Sequence, residues 1–113
     1  MIRTVTLAIF ALAACCPQND ADRPHDVRAW GYGTTNSCEQ WLANPESRAL
    51  GNEWVLAYWT GQNVRNVRDH EVGRSADANG VLSAVEAACR DNLDERLASA
   101  AGRTYVNFER ERR

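Results

Sequence analysis

Few side chains here could do chemistry: two isolated cysteines, one stretch spaced like a cation loop, and two histidines. Cys38 and Cys89 each lack a second Cys at C-x-x-C spacing, which argues against zinc and leaves a disulfide as their natural chemistry in an oxidising compartment. Pairing them closes a loop of about 50 residues. Loss of unfolded-chain entropy on that closure stabilises by roughly 4 kcal/mol, a large share of the roughly 5–15 kcal/mol that holds a small domain folded. The stretch Ser75-x-Asp77-x-Asn79-Gly80-x-Leu82-x-x-x-Glu86 has the ligand and glycine spacing of a calcium loop, except that Ser75 stands where the first charged ligand belongs. Ser75, Asp77, Asn79 and Glu86 are therefore weak calcium candidates. The preferred reading is simpler, with Asp77 as the N-cap of an amphipathic helix that carries Glu86 and no metal. Asp69-His70-Glu71 are consecutive and do not converge on one side of a helix, so His70 reads as a solvated loop residue, as does His25. There is no inward-facing His, no carboxylate pair on an apolar face and no glycine-rich phosphate loop. The expectation is a non-enzymatic protein without a cofactor.

The other two cysteines follow an unusual N-terminal segment. Met1-Ile2-Arg3 precedes Thr4–Ala14, an uncharged, largely apolar run of 11 residues, and then Cys15-Cys16. A basic start, a short apolar run and small residues at its end make a secretory signal peptide, too short to cross a bilayer as a helix. Leu12-Ala13-Ala14-Cys15 resembles the lipobox of bacterial lipoproteins, which implies that Cys15 takes a diacylglycerol and becomes the first residue after processing. Two other readings stand beside it. Ala11-Leu12-Ala13 is an acceptable cleavage site for release of a soluble periplasmic protein, and the segment could be retained as core. Cys16 has no assigned role in any of them.

These residues need a scaffold, and the apolar pattern supplies one. Residues 17–36 are polar and turn-rich, a tether. Ser37 and Gln40 form a capping-box signature before Cys38, Trp41 and Leu42, which share a helical face. Pro45 ends that helix or starts the next. Residues 46–60 predict a second helix with Leu50, Trp54, Ala57 and Tyr58 on one stripe, widened by Val55 and Trp59. Gly51 inside it marks close packing or a kink. Residues 61–76 read as a polar connecting loop. A third helix follows Asp77, with Val81, Val85 and Cys89 facing inward, and Asn92 with Glu95 predicts a capping box for a fourth. Leu93, Leu97, Ala100, Ala101, Thr104 and Phe108 would form its buried face. The expected fold is all-α, about four short helices in a compact bundle closed by the Cys38–Cys89 bridge. The expected organisation is a signal peptide over 1–14, a lipid-anchored polar tether over 15–35 and a helical domain over 36–113.

Composition narrows the partners. Without residues 1–14 the chain holds 12 Arg and no Lys against 15 Asp and Glu, a net charge of −3. The charges are interspersed, so no nucleic-acid partner is expected. Trp30, Trp41, Trp54 and Trp59 are mostly core candidates, with room for one or two exposed anchors of a protein interface.

The start Cys38-Glu39-Gln40-Trp41-Leu42, then Trp54-Val55-Leu56-Ala57-Tyr58-Trp59-x-Gly61-x-Asn63, Asp77-x-x-Gly80-Val81-Leu82 and Cys89, resembles the small periplasmic helical proteins that include the Rap/Tai-type immunity proteins. More distantly the chain is similar to the HdeA acid-stress chaperones. The resemblance spans about residues 34–108, and Asn92-Leu93 stands where the family commonly has Asn-Pro. It implies a four-helix fold with one disulfide and a non-enzymatic role. The immunity branch blocks peptidoglycan-cleaving amidases delivered by type VI secretion, and the HdeA branch holds acid-unfolded clients. The expected partners are a protein, with a secreted cell-wall amidase as first candidate and a second copy of the chain (a homodimer) also admitted, and a membrane through the lipid anchor. The expected location is the periplasmic side of the cell envelope.

Overall fold

The computed structural model describes residues 30–113. The signal segment, Cys15, Cys16 and His25 lie outside the described residues. Five helices follow in order: α1 Tyr32–Thr35, α2 Cys38–Leu42, α3 Pro45–Arg65, α4 Ala78–Asp91 and α5 Leu97–Glu111. Among the described residues there is no strand, and the helices pack as a compact bundle, as the apolar pattern predicts.

Local signals explain most of the boundaries. Ser37 and Gln40 make the expected capping box, the Ser37 Oγ accepting from the Gln40 N–H at 3.1 Å and the Gln40 Oε1 accepting from the Ser37 N–H at 2.8 Å. Pro45 starts α3, where a missing N–H costs nothing, and Asn44 caps it by accepting from the Ser47 N–H at 2.8 Å. Asp77 caps α4, accepting from the Gly80 N–H at 2.8 Å.

The sequence places the tether boundary at residue 35, but α1 belongs to the bundle. Gly33 is buried, and a Cβ there would overlap the Trp54 ring, so α1 seats on α3 only through glycine. The second helix also runs on past Gly61 to Arg65, because nothing there interrupts the hydrogen-bond ladder. Its buried face is not the predicted stripe. Gly51, Val55 and Trp59 face the core, while Leu50 is 57% exposed and Ala57 is exposed. Trp41 decides this rotation. It is buried against Gly51, a Cβ on which would overlap its indole, and its Nε1 donates to the Arg48 carbonyl at 3.3 Å and the Asn52 Oδ1 at 3.2 Å. Close packing, not a kink, is what Gly51 permits.

The core gathers Cys38, Trp41, Val55, Trp59, Val81, Val85, Cys89, Leu97, Tyr105 and Phe108 with the small Ala100 and Ala101. Trp59 lies edge-on to Tyr105 and Phe108, with ring centroids 5.0 and 5.1 Å away, the preferred aromatic arrangement. The disulfide joins Cys38 at the start of α2 to Cys89 near the end of α4, their Cα atoms 5.1 Å apart.

The turn from α4 to α5 departs most from expectation. Asn92 ends α4 instead of capping α5, and its N–H donates to the Cys89 carbonyl at 3.2 Å. Helix α5 starts at Leu97, leaving Leu93 outside it and 41% exposed. The Asn92–Glu95 capping box does not form because this segment serves α2. The Cys38 N–H donates to the Glu95 carbonyl at 2.8 Å and the Glu39 N–H to the Leu93 carbonyl at 3.0 Å. Together with the capping box, in which the Ser37 N–H donates to Gln40 Oε1 and the Gln40 N–H to Ser37 Oγ, these satisfy all four amides that a helix start leaves without partners. In return the Leu97 N–H donates to the Asn36 carbonyl at 3.1 Å.

Candidate functional site

Rotation of α3 leaves an aromatic ridge at the edge of the bundle. Trp54 and Tyr58, one turn apart, stack with centroids 5.2 Å apart and ring planes 16° from parallel. The other side of Trp54 meets the backbone of Gly31 and Gly33. Its Nε1 donates to the Trp30 carbonyl at 3.5 Å, while the Trp30 side chain is 80% exposed. Leu50, one turn before Trp54, extends the apolar surface into solvent. On the Tyr58 side, the phenol lies against Gly102 of α5. Burial, with Tyr105 adding to it, raises the Tyr58 phenol above its ordinary value. Four tryptophans thus divide by role. Trp41 and Trp59 are core, Trp54 is half-buried, and Trp30 is exposed.

A second surface lies where the 66–76 segment meets the end of α5. The sequence reads that segment as a plain connecting loop, yet Val72 is buried and its carbonyl accepts from Trp59 Nε1 at 2.7 Å and Asn63 Nδ2 at 3.1 Å. The Gly73 N–H donates to the Arg113 carbonyl at 2.7 Å, tying the loop to the end of α5. Tyr105 donates to Asn63 Oδ1 at 2.8 Å and accepts from Asn66 Nδ2 at 3.1 Å. Burial is the main reason its phenol is raised above 10.0. No pattern of spacing announces these ties, although Asn63, Asn66 and Gly73 are all residues suited to backbone bonding.

The side chains singled out from sequence sit as follows. His70 Nδ1 is 2.9 Å from the Asn63 carbonyl. Asp69 accepts from the Glu71 N–H at 2.9 Å and from Arg74 at 2.8 Å; that backbone bond is the largest cause holding its carboxyl below 3.8, with Arg74 contributing. Among the calcium candidates, Ser75 is exposed and precedes α4, and Asp77 spends a carboxylate oxygen on its cap. Asn79 is exposed in the first turn of α4, and Glu86 lies nine residues beyond Asp77, roughly 13 Å along the axis. There it accepts from Arg90 at 2.6 Å and Arg48 at 3.0 Å, which hold its carboxyl below 4.5. Because the helix begins at Ala78, these four do not wrap around one point. Among the described residues, no three His, Cys, Asp or Glu side chains gather to hold a metal ion. Among the same residues, no helix is long and apolar enough to cross a membrane.

Glu95 forms a further ion pair, with Arg103 of α5. Arg103 grips both its oxygens and holds its carboxyl below 4.5. No protein-family model, curated protein or solved structure matches this chain.

Proposed function

We propose that this chain is a non-enzymatic binding protein of the cell envelope, an immunity-like inhibitor of a peptidoglycan-cleaving amidase, tethered to a membrane by lipid on Cys15. The aromatic ridge carries the binding part of this reading. Interface energy concentrates in Trp, Tyr and Arg anchors on well-supported surfaces, and Trp30 is offered to solvent beside a Trp54–Tyr58 stack on a disulfide-locked scaffold. The lipobox-like Leu12-Ala13-Ala14-Cys15 supports the tether, since several acyl chains hold a domain at a membrane where one does not. The amidase comes from the resemblance of about residues 34–108 to immunity proteins.

The direct test measures release of stem peptides from purified peptidoglycan by secreted amidases of the same bacterium, with and without this protein. Stoichiometric inhibition is expected. Trp30→Ala should weaken it by about 30-fold, the loss of one hot-spot residue, without lowering the melting temperature. No inhibition at any ratio rejects the reading. If Trp30→Ala instead turns a dimer into a monomer in sedimentation, the ridge belongs to a second copy. Cys15→Ala should block processing or release the protein from membranes, and full recovery of unaltered wild-type protein in the soluble periplasm refutes the tether.

An acid-responsive chaperone is the second reading, favoured by one observation. Glu86 and Glu95 tie neighbouring elements together through arginines, and those ties vanish when the carboxylates protonate. We expect no protection of unfolded clients at pH 2–3. Stoichiometric suppression of client aggregation there promotes this reading over the first.

A further inference from the structure

The open cleft between the 66–76 loop and the last turn of α5 holds more arginine than its carboxylates can use. Arg68 and Arg74 line it from the loop, and Arg110 and Arg112 line it from the helix. Each of its acids has a partner, an arginine for Asp69 and Glu71 and a neutral amide for Glu109. Asp69 holds Arg74 at 2.8 Å, Glu71 lies 4.0 Å from the same guanidinium, and Glu109 accepts from Asn66 Nδ2 at 2.6 Å. Among the described residues, Arg68, Arg110 and Arg112 have no carboxylate within salt-bridge distance. The negative end of the α5 dipole accounts in part for Arg110 and Arg112. It does not account for Arg68 on the facing wall.

Arg112 is the telling residue. Its φ of 54° is left-handed, a conformation that suits glycine and strains other residues. The Arg113 N–H donates to the Phe108 carbonyl at 3.0 Å, the closing bond of a Schellman turn, so Arg112 occupies the position where helices favour glycine. The turn is fixed by the Gly73–Arg113 bond and by the Arg113 guanidinium, 4.0 Å above the Phe108 ring. The Arg112 backbone is thus fixed where its side chain lines the same cleft as Arg68 and Arg110.

We propose that this cleft binds a dianionic phosphate group, gripped by Arg68, Arg110 and Arg112. Guanidinium forks match phosphate and carboxylate alike. Three of them on two walls call for several acceptor oxygens around one centre and about two negative charges, which a phosphate monoester carries and a single carboxylate does not. The group can arrive on a lipid headgroup or as free phosphate. This site does not depend on the amidase reading, because it uses neither the ridge nor the anchor.

Calorimetry on the full, disulfide-intact chain tests it, with inorganic phosphate and with six-carbon-chain phosphatidic acid as probes and the matching phosphatidylcholine and acetate as controls. Phosphate binding should weaken about tenfold in Arg112→Gly and in Arg68→Gln, the loss of one charge-assisted contact. It should be unchanged in Arg90→Gln, which removes an arginine on α4. Arg112→Gly should melt no lower than wild type, since glycine suits that backbone, so weakened binding there is not a folding defect. Tighter binding of phosphatidic acid than of inorganic phosphate assigns the headgroup as source; equal or weaker binding assigns free phosphate. No binding of either probe at millimolar concentration overturns the proposal, as does acetate binding equally well or Arg90→Gln weakening binding to the same degree.

Discussion

Gly51→Ala and Gly61→Ala make the same chemical change in one helix, and the structure assigns them opposite signs. Replacing an interior helical glycine by alanine ordinarily stabilises by about 0.5–1 kcal/mol. At Gly61 nothing lies within 4 Å of the added methyl, so that gain should appear in full. At Gly51 the methyl would overlap the Trp41 indole, a side chain only 1% exposed and held by Arg48 and Asn52. Overpacking costs about 1–3 kcal/mol, and pulling the indole N–H from its acceptors costs about 1 kcal/mol more. Set against the helix gain, Gly51→Ala should destabilise by about 1–3 kcal/mol. At about 4–8 °C per kcal/mol for a domain of this size, the melting temperature should fall by about 4–24 °C. Urea unfolding with the disulfide intact checks both variants, provided the m-value is unchanged. If Gly51→Ala stabilises as Gly61→Ala does, Trp41 does not set the orientation of α3.

Three further outcomes are expected. Cys38→Ser or Cys89→Ser should lower unfolding free energy by about 2–5 kcal/mol, and mass spectrometry of protein purified without reductant should show both thiols oxidised; two free thiols would contradict the structure. Side-chain bonds from Arg90 and Arg48 to Glu86, and from Arg103 to Glu95, hold these carboxyls below 4.5 in the folded state. Their stabilisation is therefore complete above the unfolded value and lost as pH falls through the folded ones, so urea midpoints should decline below about pH 4.5, and Glu95→Gln should show a shallower decline. Trp59→Phe keeps an aromatic ring but removes the donor to the Val72 carbonyl, so amide exchange at residues 70–74 should accelerate while α4 stays protected. Unchanged exchange would show that the loop does not depend on that bond.

Local chemistry made much of this protein legible in its sequence. Ser37 and Asp77 mark helix starts because each side chain reaches an amide three residues on, a relation within one turn. The inward positions of Cys38 and Cys89, and the α4 face Val81–Val85–Cys89, follow from the helical period, and both hold. Sequence also located a surplus of tryptophan, but not which of the four would be exposed.

Tertiary packing decided the rest. Leu50, Trp54 and Tyr58 are as apolar as Gly51, Val55 and Trp59, so the period alone ranks the two stripes wrongly. Only the fit of Trp41 over Gly51, and the partners that meet Trp59, select the second and turn the first outward as a ridge. Asn92 and Glu95 carry a correct local signal that loses because the carbonyls of Leu93 and Glu95 are needed by the start of α2, remote in sequence. The arginine cleft is invisible along the chain for the same reason. Arg68 and Arg112 are far apart in sequence, and they line one cleft where the 66–76 loop lies against the end of α5 and Gly73 bonds Arg113.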